Sequence, residues 1–377
     1  MKKILICTMA LLSFQSIAGG GGSPSCNGSG ETKVSWPTND PVFEFCYLGP
    51  EQSSAADGSS LEIRDVYFNG YYAIERSHIP MLFAEYDNGT CYRDWKNTDA
   101  SFLRPDTVEN PTRAAITTCD ASVSPTQVVG NCPFQDVSQG GSGSVGNGGD
   151  CVSGVTIEKY ADHMVLTANH SADWYKYSSR YTFYLDGRIA PRFGFGNSTG
   201  TLDDVTHFHH AYWRVNFDID GSDNDQVFID NSVQTTEFAD MRNQGANTNW
   251  TVRDSVTGRG YRVEATAEDY LVTQPTTGDG YHPVDIMTTK YKTIGGNLTE
   301  YSDTPGQNNL FECGMAAGNL VNGESIDDED VVFWYRAAVK DIADIGLVCK
   351  FAGPIFYPVG DWDVFNPDVI FKNSFDN

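Results

Sequence analysis

The stretch from Thr206 to Gly221 holds the groups best able to do chemistry: Thr-His-Phe-His-His-Ala-Tyr-Trp-Arg-Val-Asn-Phe-Asp-Ile-Asp-Gly. Side chains of a β-strand alternate between its faces, so His207 and His209 share one side while Phe208 and His210 share the other. Two imidazoles on one face, two residues apart, suit a single transition metal. A solvated polar strand edge accounts for the pair alone equally well, so the wider pattern has to decide.

That pattern has several parts. His207 and His209 are followed in register by Arg214-Val-Asn216 and Asp220-Gly221. Upstream, Trp174-Tyr-Lys-Tyr177 precedes the aromatic run Arg180-Tyr-Thr-Phe-Tyr-Leu-Asp-Gly-Arg-Ile189. Earlier still come Asp65-Val-Tyr-Phe-Asn-Gly, Ile79-Pro-Met-Leu-Phe-Ala-Glu-Tyr86 and Trp95-Lys-Asn-Thr-Asp99. Toward the C-terminus stand Asp330-Val-Val-Phe-Trp-Tyr335 and Tyr357-Pro-Val-Gly-Asp-Trp-Asp363. In this order the segments resemble the catalytic domain of the copper amine oxidases, from Trp36 to Pro367. The family's extra N-terminal domains are missing from the resemblance, and the loops are short.

The resemblance implies a large all-β sandwich. It puts Tyr175 at the tyrosine oxidised to topaquinone, Asp99 at the catalytic base and Tyr86 at the tyrosine that hydrogen-bonds the quinone. Copper would be held by His207 and His209. Asp341, eleven positions after Asp330, falls where the family has its third histidine, and His163 and His170 are the alternatives should the fold bring either one round. Two imidazoles and a carboxylate form a donor set open to iron, zinc or copper. The implied activity is oxidation of primary amines to aldehydes with release of peroxide and ammonia. The competing reading is a catalytically inactive homologue that uses the sandwich for binding or structural roles. A peripheral calcium ion is implied at Asn216, the carbonyl of Phe217, Asp218, Asp330 and the carbonyl of Val331, all oxygen donors as a hard cation requires. A homodimer is implied as well.

These groups must be positioned by strands. Leu61–Phe68, Arg180–Tyr184, Arg188–Phe193, Ala211–Ile219, Tyr261–Thr266 and Val331–Tyr335 are rich in β-branched and aromatic residues, with turn residues between them. Asp186-Gly187 between two such runs predicts a hairpin. One β-sandwich domain over residues 36–377 is expected, after a flexible leader at 19–35. The Gly/Ser-rich run Gln139–Gly149 reads as a surface loop.

Residues 1–18 carry Lys2 and Lys3, a short apolar core and small residues at its end, the pattern of an export signal too short to span a bilayer. Of nine cysteines, Cys7 falls inside that signal, leaving an even number for disulfides in a secreted or periplasmic product. The 25 basic and 50 acidic residues give a net charge of −25, which argues against nucleic acid or an anionic membrane as partner; it would attract a small cationic substrate, although on charge alone solubility in salty surroundings is the favoured account.

Overall fold

A computed structural model describes residues 21–54, 59–87, 91–93, 100–102, 107–109, 155–172, 175–197, 205–246, 248–271, 284–294, 297–298, 320–342 and 349–363. Strands make up nearly all of their regular structure, in two large sheets of nine and twelve strands. The first sheet runs in the order Thr32–Trp36, Phe43–Leu48, Glu62–Phe68, Tyr71–Tyr86, His207–Asn216, Val331–Asp341, Ile286–Lys290, Phe238–Asp240. The second contains Tyr175–Tyr184 paired on one side with His163–Ala172 and on the other with Ile189–Asn197. Pairing is antiparallel almost throughout; Thr107–Glu109 runs parallel to Val155–Lys159.

The sheets are joined by rings that meet across the gap. Phe45 stacks on Phe183 at 4.5 Å, Trp213 meets Tyr181 edge-on at 5.0 Å, and Phe217 meets Phe356 at 5.3 Å. The first two pairs take one ring from each sheet and Phe217 follows directly on the strand His207–Asn216, so the all-β sandwich expected from the sequence is the architecture found. Removing one such ring from water contributes about 1.5–3 kcal/mol.

The strand His207–Asn216 is buried along its whole length. Its odd-numbered residues Ala211, Trp213 and Val215 enter the interlayer core, while Tyr212 on the other face packs with Met81, Phe83, Met287 and Trp334. A strand covered on both faces has no room for solvated polar groups, so its histidines must find partners inside the protein. The neighbouring Tyr71–Tyr86 carries Pro80 in mid-strand, where a missing N–H would break the ladder. A bulge between Tyr212 and Arg214 falls opposite it and absorbs the defect.

The Asp186-Gly187 hairpin forms as expected, with the Gly187 amide donating to the Tyr184 carbonyl at 2.9 Å. Gly187 has φ +88°, and a Cβ there would come within 2.3 Å of the Phe68 ring, so glycine is required on both counts. The stretch expected as a leader ends in the edge strand Thr32–Trp36, and a Cys26–Cys46 disulfide fastens its beginning to the next strand. That disulfide fits an oxidising compartment. No helix among the described residues is long and apolar enough to cross a membrane. Residues 1–18, the run 139–149 and most of the remaining cysteines lie outside the described residues.

Candidate metal centre

Register brings the chemistry-bearing groups together. In the first sheet, His207 is directly opposite Tyr86 on one neighbouring strand and Asp341 on the other, a cross-strand row of three. Paired residues of an antiparallel sheet project from the same face, so all three enter the interlayer space. His209, one pleat further along, joins them. Ligand atoms of His207, His209 and Asp341 all lie within 4.8 Å of one another, and no other such group occurs among the described residues. His207 Nε2 is 3.5 Å from Asp341 Oδ2.

Each imidazole is fixed by a face and an edge. His207 stacks on Tyr86 at 4.7 Å with 19° between the planes, and its Nδ1 donates to the Val205 carbonyl at 2.9 Å. A carbonyl only accepts, so Nδ1 carries the proton and Nε2 presents its lone pair toward Asp341. His209 stacks on Phe195 at 3.8 Å, and its Nδ1 lies 2.7 Å from the Tyr177 hydroxyl; both partners come from the second sheet. Burial first, then the neighbouring His207 and His210, hold the His209 pKa well below the ordinary imidazole value. A neutral ring is what a metal needs. Two nitrogens and a carboxylate oxygen, buried and converging, form a donor set for a divalent first-row transition ion.

Behind this face the same strand turns His210 the other way. His210 Nε2 donates to Glu85 Oε2 at 3.0 Å, and Arg336 Nη1 donates to its Nδ1 at 3.0 Å. Arg336 Nε in turn donates to Asp285 Oδ1 at 2.8 Å, and Arg242 Nη2 lies 3.2 Å from the same oxygen. Sequence reasoning missed this buried ion network because its members are far apart in the chain.

Of the other expected site residues, Asp99 lies outside the described residues. Tyr175 opens its strand between Ala172 and Asn197, and its side chain lies outside them too. Tyr177, two positions after Tyr175 in the same strand, is the tyrosine seen at His209. The alternation that links it to Tyr175 was the signal available. His163 sits elsewhere, paired with Asp162 and stacked on Tyr160.

The residues expected to hold calcium gather where His207–Asn216 meets Val331–Asp341. The Asn216 amide, oriented to satisfy its neighbours, donates to the Val331 carbonyl at 2.6 Å and to Asp330 Oδ1 at 3.0 Å, so it acts as a donor to that set. Burial, followed by Asp330 and Glu75, pushes Asp218 up to about 8. Asp225, absent from the expectation, is fully buried, and burial, followed by Asp218 and Asp330, pushes its carboxyl well above the ordinary carboxylate range.

No protein-family profile and no curated protein matches the chain. Solved structures do. A Pichia pastoris lysyl oxidase is similar at 14% identity and TM-score 0.50, over 85% of this chain and 52% of its own. An Aspergillus nidulans amine oxidase is similar at 12% identity and TM-score 0.53, over 95% and 55%. A copper-containing benzylamine oxidase from Hansenula polymorpha is similar at 13% identity and TM-score 0.55, over 88% and 60%. The chain thus spans between 52% and 60% of the length of these structures. At such identity the likeness is one of fold: the two-sheet sandwich of this chain is the fold seen in these amine oxidase structures.

Proposed function

We propose that the chain is an exported metalloprotein that oxidises primary amines, with the metal held by His207, His209 and Asp341. The observation that carries the reading is the convergence of those three buried groups between the sheets of an amine-oxidase-like sandwich. His207 and His209 would each contribute Nε2, and Asp341 a carboxylate oxygen in place of a third imidazole. With a carboxylate present, copper, iron and zinc all remain suited to the site, and copper is the ion named for one of the similar structures.

When loaded, the centre and a quinone made from Tyr175 would supply net conversion of a primary amine, dioxygen and water to aldehyde, ammonia and peroxide. The protein's own part is positional. Tyr86 covers the face of His207, Phe195 covers His209, and the closed interlayer space keeps bulk water from the ligands. Asp99 is assigned the proton on the carbon next to the amine nitrogen. The excess of acidic residues favours approach of a cationic substrate.

The decisive experiment measures metal content and amine-dependent peroxide in purified protein after copper loading. Wild type is expected to carry one transition ion per chain and to stain for quinone. Tyr175→Phe should abolish both stain and peroxide, while Asp99→Asn should keep the stain and lose peroxide. Bound metal without quinone or peroxide across a panel of amines would refute the oxidase and leave the inactive, binding homologue.

A calcium-class cation near Asp218 and Asp330 is the second element of the reading. Burial and mutual repulsion with Asp330 raise both Asp218 and Asp225, an arrangement that a hard cation would relieve, which supports it. Millimolar calcium should raise the melting temperature of chelator-treated protein, and Asp218→Ala should remove the shift.

A further inference from the structure

We infer that Tyr177 is a positioning residue for the metal centre: its hydroxyl, 2.7 Å from His209 Nδ1, fixes the tautomer and ring angle that present His209 Nε2 to the ion. The inference rests on the metal-centre reading above and adds to it a residue outside the three ligands.

Three observations carry it. First, the two candidate imidazoles are held by the same device built from different parts. His207 has a ring on its face, Tyr86, and an acceptor at Nδ1, the Val205 carbonyl; His209 has Phe195 on its face and Tyr177 at Nδ1. Second, Tyr177 is fully buried among Phe193, Phe195 and His209, so no water competes for its hydroxyl. Third, Tyr177 belongs to the sheet opposite His209, so the bond spans the sandwich and ties the ligand's angle to the spacing of the layers.

A hydroxyl can accept as well as donate. Once a metal takes the Nε2 lone pair, Nδ1 must keep its proton, and accepting is the role left to Tyr177. The hydroxyl meets the ring at the nitrogen that does not serve the ion, so Tyr177 acts through His209 and is not itself a ligand. Loss of such an outer partner weakens metal binding by about 10–100-fold.

The test is an equilibrium titration of chelator-treated full-length protein with cobalt(II), followed by its visible absorption. Wild type should bind one ion; His209→Ala should lose it. Tyr177→Phe is expected to bind about 10–100-fold more weakly and to show displaced cobalt bands. Tyr181→Phe removes a buried hydroxyl from the same strand, bonded to Ser77 Oγ at 2.9 Å, and should titrate as wild type. That control separates ligand positioning from general loosening of the core. Nitrogen-15 NMR of zinc-loaded wild type reads the same point without a variant: Nδ1 of His209 should be the protonated nitrogen. If wild type and Tyr177→Phe give one affinity and one spectrum while His209→Ala loses the ion, the inference about Tyr177 falls alone. Wild type and His209→Ala behaving alike would overturn the metal centre and this inference with it.

Discussion

His209 and His210 are consecutive, equally buried and both held well below the ordinary imidazole pKa, yet they occupy opposite chemical worlds. His210 spends both ring nitrogens, one donating to Glu85 and the other accepting from Arg336. Nothing is left for a metal, and the ring is a link in a chain of ion pairs. On the inner face, His209 meets a hydroxyl, an aromatic face and the neighbouring His207, and it belongs to the cluster with Asp341. The tautomers differ accordingly: the His207 proton is fixed on Nδ1 by a carbonyl, the His210 proton on Nε2 by a carboxylate. Burial sets the neutrality of each ring, but partners set its function.

Asp285→Ala should break this comparison most severely on the outer face. It leaves Arg336 and Arg242 buried without their shared carboxylate, and breaking such a network costs about 3–5 kcal/mol. Denaturant unfolding of metal-free protein is expected to show that loss. If the inner face is independent, the variant that still folds should bind metal as wild type does.

The inner face should respond in the reverse manner. Asp341→Ala is expected to abolish metal binding and with it the metal-induced gain in stability, about 2.7 kcal/mol at a hundredfold excess of ion over its dissociation constant. Melting curves with and without metal check this. A full metal-induced shift in Asp341→Ala would remove that carboxylate from the centre.

A smaller effect comes from a fourth buried imidazole, on the neighbouring strand Tyr71–Tyr86. His78 bonds Ser59 Oγ at 2.8 Å, and burial, with Arg214 and Arg76 behind it, holds its pKa well below the ordinary value. A base whose folded pKa is depressed gives stability that is present above its unfolded pKa, near 6.5, and is lost as pH falls below it. Going from pH 6.5 to 5.5 should cost about 1 kcal/mol from this group, because the unfolded ring is already half protonated at 6.5. His78→Gln should flatten that share of the pH profile; an unchanged slope would assign the acid sensitivity elsewhere.

Much of this was legible in the chain. Alternation placed His207 and His209 on one face and His210 on the other, because the strand period is two whatever surrounds it. Asp186-Gly187 specified its hairpin because a positive φ beside the Phe68 ring admits only glycine. Asp341 was named as a third ligand because it falls, eleven positions after Asp330, where the resemblance places one. What the chain alone did not determine is which partners arrive from elsewhere. Tyr177 and Phe195 reach His209 from the other sheet, and Glu85, Arg336 and Asp285 reach His210 from strands far away in sequence. Residue type and spacing state what a side chain is able to do; only the packing of the two layers decided which imidazole joined the cluster with Asp341 and which was consumed by charge.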